Sequence, residues 1–201
     1  MGGHPQAPEG VEMFNFGVCS ARDDIVCGSE RPGMKPEFDK PGAIPPGVVD
    51  EWCTYMKERG VTRVLSVLSG AELEYYQIAL GDSYGKYFSG HELVSDLKAE
   101  GARDKALALL KAAKEAGEKV VVHCAGGQGR TGTVLGTWMV TEYGLSPEEA
   151  AKEVRPSQHS GEGLQVTPAT GFEVARAPLI TRGALSHPWR YPTPSMASAG
   201  G

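Results

Sequence analysis

An α/β fold, with a mainly parallel central sheet flanked by helices, is what this sequence predicts, and three observations predict it. Helical and strand patterns follow one another in the same order twice, between Pro45 and Leu68 and again between Gly101 and His123. The apolar runs that close each pattern, Val64, Leu65, Val67 and Leu68 and then Val120 to Val122, are short and dense, as strands covered on both faces require. The chain has 201 residues, of which 40% are hydrophobic and 22% charged, enough for one folded domain with residues to spare for tails.

Element by element, Pro45, Pro46 and Gly47 open a segment in which Trp52, Tyr55 and Met56 recur at helical spacing, and Gly60 closes it. These three side chains read as core packing rather than a ligand platform. A strand follows over Val61 to Leu68. Ala106, Leu109, Leu110 and Ala113 mark a helix that Gly117 stops, just before a strand over Lys119 to His123. Beyond the glycine-rich turn at 125–129, Val134, Leu135, Trp138 and Met139 form a largely apolar, buried helix ending at Gly144. Ser146, Pro147 and Glu149 supply an N-cap, a first-turn proline and the acid of a capping box for a helix reaching about Arg155. Fainter strand signals lie at Met13 to Val18, Ile25 to Cys27 and Tyr87 to Leu93.

Composition excludes several function classes. Twenty basic against twenty-five acidic side chains give a net charge of −5, which repels a phosphate backbone at long range and disfavours nucleic acid as a partner. No apolar run approaches the length of a membrane-spanning helix. Cys19, Cys27, Cys53 and Cys124 form no CxxC pair, so they read as reduced thiols of an intracellular, cytoplasmic protein, with no metal site expected. No secretory signal is visible, although a transit peptide already removed would leave no trace. Residues 1–12 and 157–201, the latter mobile from about 183, read as tails.

The informative stretch is Val120-Val-Val-His123-Cys124-Ala125-Gly126-Gly127-Gln128-Gly129-Arg130-Thr131-Gly132, a strand, a tight turn and a helix start. Three glycines among the five residues between Cys124 and Arg130 allow successive backbone N–H groups to face one concave side, and the helix start adds its unpaired donors. That is an anion cradle, shaped for a phosphate dianion. Beside backbone donors and a guanidinium, Cys124 is favoured as a thiolate, a nucleophile aimed at phosphorus that gives a cysteinyl-phosphate. Arg130 can hold two phosphoryl oxygens with its planar fork. His123 and Thr131 are supporting candidates, the first fixing the loop and the second donating to the sulfur as it leaves.

These residues resemble the cysteine-dependent protein tyrosine phosphatase superfamily, whose signature is His-Cys, five residues, Arg, then Ser or Thr, matched by His123, Cys124, Arg130 and Thr131. The chain's size is similar to the small dual-specificity branch, over about residues 13–156. The resemblance implies a metal-independent protein phosphatase without cofactors. It hydrolyses phosphate monoesters of phosphotyrosine, with serine and threonine phosphates open, in a phosphoprotein substrate. It also implies a general acid on a mobile loop some thirty residues before the cysteine. Asp96, twenty-eight positions upstream, suits that role better than Asp82 or Asp104, although Ser95 stands where a proline is usual.

Other readings stay open. Gly127 to Gly132 satisfies the G-x-G-x-x-G pattern but lacks the following strand with its acidic residue. A non-catalytic phosphate-binding adaptor is kept as a different class, and RNA 5′-phosphate or phosphoinositide as other substrates. Uncharged Ala125 and Gln128 speak against a headgroup with several phosphates. Oxidation of Cys124 by peroxide is a further expectation, with its resolving thiol undetermined.

Overall fold

A computed structural model of the chain describes residues 13–76 and 80–154. The tails expected over 1–12 and 157–201 lie outside the described residues, as does Arg155.

Among the described residues the five strands are β1 (Gly17–Ser20), β2 (Asp23–Ser29), β3 (Val61–Ser66), β4 (Gly90–Leu93) and β5 (Lys119–His123). The helices are α1 (Pro46–Glu58), α2 (Gly70–Tyr76), α3 (Leu80–Tyr87), α4 (Ala102–Glu115), α5 (Gly129–Tyr143) and α6 (Pro147–Glu153). The strands form one sheet in the order β1-β2-β5-β3-β4. Only the β1–β2 hairpin is antiparallel; the other three pairings are parallel.

Continuous apolar strands occur here because both sheet faces are covered. Alternate residues divide between two clusters: Val26, Leu65, Val120 and Val122 face one side with Leu110, Trp138 and Met139 of α4 and α5. Cys27, Val64 and Val121 face the other with Trp52 and Met56 of α1 and Tyr84 of α3. Each such side chain contributes about 1.5–3 kcal/mol by leaving water. The three central strands end level with one another, since Ser29 and Ser66 both pair with His123. Glu30, Val67 and Cys124 therefore emerge together at the carboxyl edge of the sheet, where open α/β sheets place their sites.

The helix caps follow the sequence reading. Ser146 Oγ accepts the Glu149 N–H, and the Glu149 carboxylate accepts the Ser146 N–H, a complete capping box. Gly144 closes α5 at φ 66. Three boundaries differ. The 61–68 strand stops at Ser66, because the Val67 N–H turns to the His123 carbonyl as the chain leaves for α2. Residues 13–15 are a single 3-10 turn rather than strand, with Phe14 and Asn15 both at positive φ. Tyr87 ends α3 because Tyr84 and Phe88, four apart, pack on Trp52, so the strand begins only at Gly90. The helices α2 and α3 were not predicted. No helix of the described residues is long and apolar enough to cross a membrane.

Candidate active site

Cys124 is the first residue after β5, and the chain turns through Ala125–Gln128 into α5 at Gly129. The turn needs glycine most at position 127, which sits at φ 74; a Cβ there would lie 2.6 Å from the Ser29 carbonyl carbon and oxygen. The loop thus rests directly on the backbone at the end of β2, a distance only a missing side chain allows. Cys124 is 3% exposed and packs against the cluster on the α4–α5 face.

His123 is completely buried, and burial lowers its pKa to about 4, so the ring is neutral. Its Nδ1 lies 3.2 Å from the Cys124 carbonyl and its Nε2 3.2 Å from the Tyr84 hydroxyl. A carbonyl only accepts, so Nδ1 carries the proton and Nε2 receives the tyrosine O–H. The ring, edge-on to Trp52 and Tyr84, fixes the backbone at Cys124.

Arg130 is held by α2. Its Nη1 and Nη2 donate to the two carboxylate oxygens of Glu72 at 2.5 and 2.6 Å, and Nη1 also donates to the Val67 carbonyl at 3.1 Å. Burial alone would raise the Glu72 carboxyl, but the Arg130 bonds and those from Ser69 hold it down at about 2. The same carboxylate accepts the Ser69 N–H and hydroxyl, while Ser69 Oγ accepts the Glu72 N–H. Glu72 therefore caps α2 and clamps the arginine. Arg130 is held charged first by the Glu72 hydrogen bond.

Thr131 is fully buried, and its Oγ1 has no hydrogen-bond partner. Asp96 stands apart. Its Oδ1 accepts the Lys98 N–H at 3.0 Å and its carbonyl the Ala99 N–H, a turn closed on itself at the surface. The next residue, Leu97, lines one shallow hollow with Thr133, Val134 and Thr137, which lays this loop along the first half of α5. The structure brings His123, Cys124, Arg130 and Thr131 together and leaves Asp96 on the adjacent loop, with its carboxylate bonded to its own turn.

A family model described as PTP-SAK, the DSP-PTPase phosphatase domain of Swiss Army Knife proteins, matches residues 48–170. The chain belongs to this family. Among solved structures, this phosphatase domain is similar to kinase associated phosphatase carrying a serine for its catalytic-site cysteine, at 18% identity and a TM-score of 0.56. That match covers 66% of this chain and 75% of that one. It is also similar to Tk-PTP in its active form, at 27% identity and a TM-score of 0.48, covering 68% and 82%.

The family's sequence signature did not point to Glu72, Tyr84 or Arg31. Glu72 was findable, because Ser69-Gly-Ala-Glu72 is a capping-box pattern of the same form as Ser146 to Glu149. Tyr84 and Arg31 carry no such signal; the first meets His123 across the fold, and the second donates its backbone N–H to the Ala125 carbonyl at 2.8 Å. The remaining cysteines are core thiols: burial pushes Cys27 and Cys53 up to about 12 and raises Cys19 as well. Among the described residues, no group of three or more His, Cys, Asp or Glu could hold a metal ion.

Proposed function

We propose that this domain hydrolyses phosphate monoesters of phosphoproteins, phosphotyrosine first, through a cysteinyl-phosphate on Cys124. The observation that carries the reading is the arginine clamp. Glu72 and the Val67 carbonyl take three of the five guanidinium N–H groups of Arg130. The two that remain, on Nε and Nη2, lie along one edge and form a second fork of the spacing that two phosphoryl oxygens accept.

In the first step the Cys124 sulfur forms a bond to phosphorus while the ester P–O bond breaks, and the departing oxygen takes a proton from Asp96. In the second, water attacks phosphorus, gives its proton to the Asp96 carboxylate, and the S–P bond breaks to release inorganic phosphate. Thr131, whose unpartnered hydroxyl is a donor without an acceptor, stabilises the sulfur as it departs. For Asp96 to act, its turn must open and the loop swing toward the cysteine, a lid motion of the usual kind. Uncharged Ala125 and Gln128 in the loop favour a single phosphate over a polyphosphorylated headgroup.

Cys124→Ser tests the reading: turnover of an aryl phosphate falls by about 10⁴-fold or more if the thiolate is the nucleophile. Turnover that survives the substitution contradicts it.

A further inference from the structure

Three carbonyls in a row along the phosphate loop are each tied down. The Cys124 carbonyl accepts from His123 Nδ1 at 3.2 Å, the Ala125 carbonyl from the Arg31 N–H at 2.8 Å, and the Gly126 carbonyl from Asn15 Nδ2 at 3.1 Å. In a trans peptide the C=O and the next N–H point in opposite directions, and no peptide bond of the described residues is cis. Holding a carbonyl on one side therefore releases the following N–H to the other. The three bonds together fix the N–H groups of Ala125, Gly126 and Gly127, the donors a phosphoryl group needs.

Two of these three donors are accounted for by the strand–loop junction itself, one a backbone N–H and one the histidine of the family signature. The third comes from 111 residues away and is delivered with evident constraint. Phe14 and Asn15 sit at φ 60 and φ 49, a left-handed conformation that asparagine tolerates and phenylalanine does not. The surroundings impose it. The Met13 N–H donates to the Tyr55 hydroxyl at 2.8 Å, the Phe14 carbonyl accepts the Glu30 N–H at 2.9 Å, and the Phe14 ring meets Tyr55 edge-on at 5.1 Å. Strain over-determined in this way at a loop is the mark of a functional constraint.

We propose that Asn15 is a positioning residue of the phosphate loop, holding the Gly126 carbonyl outward so that the Gly127 N–H faces the bound phosphoryl group. The proposal rests on the phosphate-hydrolysis reading above. Asn15→Gly is the informative variant, because glycine adopts the left-handed backbone without steric strain and removes the donor with the rest of the side chain.

The full chain is titrated with inorganic phosphate while the amide resonances of residues 125–129 are followed, and kcat and KM are measured on an aryl phosphate. For Asn15→Gly, phosphate affinity and kcat/KM each fall about tenfold, the worth of one lost hydrogen bond at a charged ligand, while the melting temperature stays at or above that of the wild type. Asn15→Asp, which sets an acceptor against the carbonyl, is at least as impaired. Wild-type phosphate affinity and turnover in Asn15→Gly overturn the proposal alone. Absence of phosphate-induced shifts at 125–129 in the wild type overturns the phosphate reading, and the proposal with it.

Discussion

The loop from Cys124 to Arg130 and the loop that carries Asp96 both lie against the first half of α5, yet they are built in opposite ways. Around residues 124–130, the Cys124 carbonyl is bonded to the neighbouring His123 ring and the Ala125 and Gly126 carbonyls to distant Arg31 and Asn15, Gly127 rests on the β2 backbone, and Arg130 is braced by a helix. Around residues 94–101, the polar bonds run within the turn itself, at Asp96 to Lys98 and Asp96 to Ala99. The tie to the rest of the molecule is Val94 bonding Ser66 at the loop's start and Leu97 packing on the core. On the proposed function, the difference teaches how the two parts of the chemistry would divide: the proposed anion site is fixed by long-range bonds, whereas the proposed proton donor sits on a turn bonded to itself. A rigid cradle holds charge without reorganising, and a mobile acid can close over a leaving group after it binds.

Breaking the fixed half has the largest effect. Gly127→Ala places a methyl group 2.6 Å from the Ser29 backbone at φ 74, so it costs about 2 kcal/mol or more in stability and removes turnover. Chemical denaturation and an aryl phosphate assay check this, and a variant that unfolds at the wild-type midpoint and keeps its activity contradicts it. Removing the mobile half should cost rate without stability. Asp96→Asn slows an alkyl phosphate by about 10²-fold or more and an activated aryl ester far less, with the melting temperature unchanged. Equal slowing of both esters assigns the acid elsewhere.

Glu72→Gln sharpens the comparison from within the site. The clamp loses its charge but keeps an acceptor, so kcat/KM falls about tenfold. Because the Glu72 carboxyl is lowered to about 2, its contribution to stability is fully present above its ordinary value of 4.5 and disappears as pH falls toward 2. Thermal melts of this variant and the wild type should therefore differ at pH 6 and converge near pH 2; a constant difference contradicts the clamp.

The smallest effect concerns Glu30, beside the loop at the end of β2. Burial raises its carboxyl to about 7, against the opposing pull of Arg31 and Lys35. A raised carboxyl favours the fold below its ordinary 4.5, and that contribution is lost as pH rises through 7. Glu30→Gln thus raises the melting temperature by a few degrees at pH 8 and hardly at pH 5. A gain at pH 5 equal to that at pH 8 shows that the carboxyl is not shifted.

The same division explains what was legible in the sequence. Periodicity and glycine punctuation located α1, β3, α4, β5 and α5, because each buries an apolar stripe or run long enough to register, and the capping box from Ser146 to Glu149 located α6. The signature from His123 to Thr131 is contiguous, so its geometry followed from neighbours in the chain. Glu72, Tyr84 and Asn15 reach the loop by tertiary contact from short or mixed-polarity segments, and nothing local marks them except the Ser69 to Glu72 cap. The 13–15 segment read as strand because Met13, Phe14 and Phe16 are apolar. Anchoring to Tyr55 and Glu30 overrides that propensity and forces two left-handed residues.

The proposed function stands on Cys124 becoming covalently phosphorylated in turnover. Rapid acid quench of the full chain with an aryl phosphate, followed by peptide mass spectrometry, tests it most directly. The expected result is a phosphoryl adduct on the peptide bearing Cys124, at higher occupancy in a variant whose second step is slowed, such as Asp96→Asn with an activated ester. Steady hydrolysis with no adduct on Cys124 at any quench time contradicts it.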